Sequence, residues 1–235
     1  MALSQKSPWQ GMLDLALVEG SICCEKDHLA LLSIRQRSHK IMAIGSCAVW
    51  GGIPAMAETL SLVSRKEKVY GNKEVFPEQI SAQPLSSVVA VEYAIPGCPI
   101  EIKELLEAIA AILAGGEPRR IDYTVCAECR MAEFNCLVCG HDKVCCGPVT
   151  VGGCHARCIG YGQVCDGCRG PVDDPQWQEG GESSFIEQGL KKGDVLQALK
   201  RFSAPAWENH HLLPGFSSDP QRQGLRRVFD KERGP

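Results

Sequence analysis

Ten of the chain's 14 cysteines crowd into one stretch: Cys126, Cys129, Cys136, Cys139, Cys145, Cys146, Cys154, Cys158, Cys165 and Cys168. In a reducing compartment thiols this dense need a partner other than each other, and a disulfide framework is not expected. The partner that rewards gathered thiolates is a soft metal, as zinc or as iron–sulfur. Cys126-x2-Cys129 and Cys165-x2-Cys168 each place two thiolates on one tight turn, and the two pairs together would suit a tetrahedral zinc. That arrangement leaves Cys136, Cys145, Cys154 and Cys158 without a role. Eight well-spaced cysteines make two four-thiolate sites, the count for two 4Fe–4S cubanes. Spacing favours iron–sulfur and leaves zinc open.

Two more cysteines end apolar runs, Cys47 after KIMAIGS and Cys98 after VEYAIPG. The runs Leu13–Ile22, Lys40–Ala48 and Val88–Ile95 read as strands. Helical spacing separates them at Lys26–Ser38 and Ile53–Val63, and Ile100–Ala114 is the clearest helix. Apolar strands alternating with helices predict an α/β fold with a parallel sheet covered on both faces. In such a sheet the carboxyl ends of the strands share one ligand-binding edge. Cys47 and Cys98 are therefore expected to converge there, and Cys23 and Cys24 after LALVEGSI lie on the same edge.

The expected organisation is a sheet domain over residues 1–120, a cysteine-rich segment over 121–172 with metal as its core, and a polar tail over 173–235. The tail carries a capping box at Ser184–Glu187 and an amphipathic helix at Asp194–Phe202. A net charge of −3 argues against non-specific nucleic-acid binding. No segment reaches the roughly 18 apolar residues of a membrane span. MALSQKSPWQG has no basic region followed by an apolar core, so a cytoplasmic chain is expected. No Walker loop, GxGxxG fingerprint or Gly-x-Ser-x-Gly elbow occurs, so nucleotide binding and hydrolase chemistry lack support. Trp50 and Met56 read equally as core packing or as a shield for a cofactor beside Cys47. Glu19 reads as a solvated loop residue, and His141 and His155 as outer groups rather than ligands.

GSCAVWGGIPAMAE, PGCPI, VCAECR, CCGPVTVGGCHARC and CDGCRGP resemble the small, electron-transfer subunit of cytosolic nickel–iron hydrogenases, above all the sulfhydrogenase delta, NAD(P)-linked type. The resemblance implies a flavodoxin-like sheet, incomplete at its N-terminus, followed by an irregular cluster-binding domain. It implies that Cys126, Cys129, Cys136 and Cys145 hold a distal 4Fe–4S cluster, and that Cys154, Cys158, Cys165 and Cys168 hold a medial one. Cys47 and Cys98 match half of a proximal site. Cys139 and Cys146 fall at positions that are apolar in the family and read as free thiols, with an exchange of Cys139 for Cys136 still open.

The family's other proximal ligands come from a CxxC after the first strand, which has no counterpart here. A truncated or mis-started chain, a true loss of the site, and replacement by Cys23 or Cys24 all remain open. The implied partners are a large subunit holding the nickel–iron centre, an iron–sulfur subunit and a flavin- and NAD(P)-binding reductase. A ferredoxin- or quinone-linked oxidoreductase subunit is the alternative within the class. A non-catalytic iron–sulfur or zinc scaffold is the alternative outside it.

Overall fold

In the computed structural model, residues 11–56, 63–64, 67–68, 71, 79–138, 144–172 and 192–209 are described. The central strand is β3 (Ser38–Ile44), flanked by β1 (Leu13–Glu19) and β5 (Tyr93–Ile95), both parallel to it. Side chains alternate across a strand, and β3 uses both faces. Ile41 and Ala43 join a core with Ala16, Val18 and Leu31 of helix α1 (Glu25–Gln36). Met42 joins Ile95 and Ala108 of helix α4 (Ile102–Leu113). The sheet is thus sandwiched between α1 and α4, the α/β arrangement the alternating pattern predicts. β1 is less covered than expected, since Leu17 is 46% exposed at the sheet's edge.

Three boundaries differ from the reading of the sequence. The strand expected over 40–48 stops at Ile44, because Gly45 (φ +82°) turns the chain and the Ser46 N–H bonds the Gly97 carbonyl at 3.0 Å. Cys47 therefore sits in the first turn of helix α2 (Gly45–Trp50). The strand expected over 88–95 is only Tyr93–Ile95. A 3-10 turn at Leu85–Ser87 takes up the backbone before it, with the Val88 and Val89 N–H groups bonding the Leu85 carbonyl. Third, Cys23 and Cys24 belong to a short strand, β2 (Ile22–Cys24), paired antiparallel with β4 (Gln79–Gln83). Helix α3 (Gly52–Met56) begins the helix expected at Ile53–Val63, most of whose remainder lies outside the described residues.

Helix α5 (Val125–Met131) and the short α6 (Arg157–Gly160) frame the cysteine-rich segment. Its core is not wholly left to metal. Val125, Val149 and Ile159 pack with Cys129, Cys145, Cys146 and Cys165, and helix α7 (Lys192–Asn209) adds Val195 and Leu199. α7 runs past the expected Asp194–Phe202, kinks at Ser203 before Pro205, and places Ala206 in the sheet's core. The capping box at Ser184–Glu187, Cys139, His141 and the residues after Asn209 lie outside the described residues.

Candidate metal centres

Thr124 caps α5, its Oγ1 accepting the Ala127 N–H at 3.3 Å. Cys126 and Cys129, three apart on the helix, share a face. Burial first, and then Cys136 and Cys145, push the Cys126 thiol up from its ordinary pKa. Burial first, and then Cys126, Cys145 and Cys136, do the same to Cys129. These four thiols, from a helix and two loops, are within electrostatic reach of one another.

The second group forms around α6. Burial and Glu128 raise the Cys154 thiol, against the N–H groups of Ala156 and Arg157. Burial raises Cys168 to about 11; the Cys98 N–H opposes it, and Cys154 and Cys158 add to it. Cys165 is pushed well up by burial, against the Gly167 N–H, and feels Cys146, Cys145 and Cys168. Its own N–H donates to the Cys145 sulfur at 3.3 Å.

At the sheet's carboxyl edge, Cys47 is raised by burial first and then by Cys98 and Cys23. Cys98 is exposed and precedes a cis proline, Pro99. The expected convergence of Cys47 and Cys98 is present. Of the adjacent pair, Cys23 lies within electrostatic reach of Cys47, with its sulfur 3.2 Å from Ser21 Oγ, whereas Cys24 is the N-cap residue of α1. Gly52 (φ +62°) makes this packing possible, because a Cβ there would stand 2.5 Å from the Cys47 sulfur.

Zinc at about 2.3 Å from each sulfur draws four thiolates to roughly 3.8 Å of one another. Among the described residues, no group of three or more His, Cys, Asp or Glu side chains closes in that way. Backbone N–H groups aimed at sulfur, as at Cys154, Cys165 and Cys168, are the contacts that tune thiolate-bound iron. Cys146 is fully buried, its thiol pushed up to about 12 by burial. His155 and Glu19 are exposed, and Trp50 is core, its Nε1 donating to the Arg169 carbonyl at 3.0 Å.

Sequence reasoning missed three polar residues that tie these groups together. Ser46 Oγ donates to the Cys168 carbonyl, joining the residues beside Cys47 to the second group. Glu128 is a buried carboxylate between Cys126 and Cys129. Arg169, only 2% exposed, donates to the carbonyls of Gly152 and Pro96 and pairs with Glu104 at 2.8 Å. Only the placement of Arg169 directly after a CxxC hinted at it.

Residues 2–112 match the family model described as NADH ubiquinone oxidoreductase, 20 Kd subunit. The chain is 39% identical to sulfhydrogenase 2 subunit delta of Pyrococcus furiosus, over 86% of this chain and 83% of that one. It belongs to the nickel–iron hydrogenase small-subunit family. A second member, a vhu subunit of the F420-non-reducing hydrogenase of Methanococcus voltae, is 31% identical over 82% of this chain and 79% of its own. The actinobacterial-type NiFe-hydrogenase from Ralstonia eutropha H16 superposes with a TM-score of 0.46 at 18% identity, over 94% of this chain and 71% of that one. As a hydrogenase small subunit the chain is an oxidoreductase component with an electron-transfer rather than a bond-making part. Among the described residues no helix is long and apolar enough to cross a membrane.

Proposed function

We propose that the chain relays electrons between a large-subunit site that oxidises dihydrogen or reduces protons and an NAD(P)-linked or other acceptor subunit, within a cytoplasmic complex. Cys126, Cys129, Cys136 and Cys145 are the candidate ligands of one 4Fe–4S cluster, and Cys154, Cys158, Cys165 and Cys168 those of a second. Cys47 and Cys98 are part of a third site. Bound there, the clusters supply one-electron carriage with little rearrangement. The division into a sheet domain (1–120), a cluster domain (121–172) and a C-terminal part (173–235) belongs to the same reading.

One observation carries it: the thiol groups are joined in series. The Cys98 N–H reaches the Cys168 sulfur, and the Cys165 N–H reaches the Cys145 sulfur. These contacts bring Cys98 beside Cys168 and Cys165 beside Cys145, which supports a serial order from the sheet edge outward. Cys129, Cys145 and Cys165 are buried, and burial is one of the levers on cluster potential. The test is metal and acid-labile sulfide analysis of the chain isolated with its partner subunits. About eight irons per chain fit two cubanes and about twelve fit three. Zinc without iron sinks the proposal and leaves a structural zinc scaffold.

A further inference from the structure

Glu128 sits on α5 between Cys126 and Cys129 and is 8% exposed. Its Oε1 accepts the Gly153 N–H at 2.7 Å, and its Oε2 accepts the Ala156 N–H at 3.1 Å. The same Oε2 lies 3.8 Å from the Cys154 sulfur. The Tyr123 hydroxyl faces this carboxylate, which adds to burial, the larger cause, in pushing the hydroxyl's pKa up. A buried carboxylate this fully engaged does more than fill space.

The segment it grips is unusual. His155 (φ 55°) and Ala156 (φ 47°) are consecutive non-glycine residues in the left-handed region, a conformation that the surroundings must impose. The turn brings two N–H groups three residues apart, those of Gly153 and Ala156, onto the two oxygens of the Glu128 carboxylate. The Arg157 N–H in the same turn bonds the Cys154 carbonyl at 3.3 Å. Carboxylate, turn and thiol are one unit, anchored on the helix that carries the other group's Cys126 and Cys129.

We propose that Glu128 is a positioning residue for the second thiol group: it holds the His155–Ala156 turn so that Cys154 faces its partners, and it sets a negative charge against that sulfur. The inference rests on the iron–sulfur reading above. A fixed negative charge beside a thiolate-bound cluster favours the oxidised form, so Glu128 lowers the reduction potential of the Cys154 group selectively. The geometry also explains why the residue is a glutamate. From α5 the carboxylate reaches both the Gly153 and the Ala156 N–H, one oxygen each.

The test compares Glu128→Gln and Glu128→Asp with wild type in the complex isolated with its large-subunit partner, by iron content and by redox titration followed by electron paramagnetic resonance. Glu128→Gln keeps the side chain's length and removes its charge. The expected result is wild-type iron and an upward shift of one couple, while the other moves less. Glu128→Asp keeps the charge on a shorter side chain and shifts that couple less than Glu128→Gln does. If Glu128→Gln loses the iron of one cluster while Glu128→Asp retains it, the clamp stands. Wild-type potentials in Glu128→Gln, or equal shifts in both variants, overturn the proposal. A wild-type complex without two cluster signals sinks the iron–sulfur reading, and this inference with it, before either variant is compared.

Discussion

The backbone N–H of Cys165 donates to the sulfur of Cys145, 3.3 Å away, and joins one CxxC turn to the thiol group built on α5. Because the donor is backbone, the contact survives side-chain replacement at position 165 and depends on the acceptor at 145. Cys145→Ser keeps an acceptor, so the fold should lose no more than the roughly 1 kcal/mol of one hydrogen bond. The iron should nevertheless fall by about four per chain, since a hydroxyl is a poor ligand for iron–sulfur. Iron analysis beside a thermal melt checks both halves of the expectation.

The neighbouring cysteine should behave differently. Cys146 is fully buried among Val149, Ile159 and Leu199, and its thiol is held neutral by burial. Cys146→Ala should leave the iron count unchanged and cost about 1 kcal/mol for the vacated sulfur. A fall in iron equal to that of Cys145→Ser would make Cys146 a ligand and force the α5 group to be redrawn.

Arg169 gives the largest expected effect on stability. Arg169→Met leaves the Glu104 carboxylate without its partner and the Pro96 and Gly152 carbonyls without this donor. Breaking a buried pair from one side costs about 3–5 kcal/mol. The urea midpoint of the variant should drop accordingly. Glu104→Gln, which keeps a neutral acceptor for Arg169, should lose less.

Gly52→Ala probes the sheet edge. The added methyl would meet the Cys47 sulfur at 2.5 Å and its Cα at 2.9 Å, in a backbone conformation that disfavours a side chain. Overpacking of this kind costs about 1–3 kcal/mol. The Cys47 thiol should be displaced, so its alkylation rate in the metal-free chain should change while that of Cys126 does not.

The metal-free chain should weaken as the solution becomes alkaline. Cys168 and Cys146 are raised to about 11 and about 12, and Cys47, Cys126, Cys129, Cys154 and Cys165 move the same way, burial being the first cause in each. A thiol whose folded value exceeds its unfolded one of about 8.5 binds its proton more tightly in the folded chain. Its contribution to stability is full below about pH 8.5 and is lost as pH climbs through the folded value. Urea midpoints of the metal-stripped chain should therefore fall between about pH 8 and about pH 11. An unchanged or rising midpoint would show that the buried thiols do not set the trend.

Much of this was legible in the residues. The apolar alternation gave a parallel sheet, as β1, β3 and β5 form, and the family resemblance named the four cysteines that lie around α5. Strand ends were misjudged where apolar residues continue into other structure. Ala48, Val49 and Trp50 are as buried in α2 as they would be in a strand, and hydrophobicity does not separate the two. Val88 and Val89 carry high strand propensity, yet a 3-10 turn claims their N–H groups. Ser46, Glu128 and Arg169 were invisible for a different reason. Their partners lie far away in the chain, and a polar residue's worth depends on what the fold brings to it.

The reach of Arg169 also sets a timetable for the growing polypeptide. Synthesis delivers Pro96, Cys98 and Glu104 well before Arg169 exists, so the edge carrying Cys47 and Cys98 first emerges without the guanidinium that later ties it to the Gly152 loop. Through that interval the edge lacks both the pairing that holds Glu104 and the donor that ties Pro96 to Gly152, so the sheet edge and the cysteine-rich segment are tied together only once Arg169 has been made.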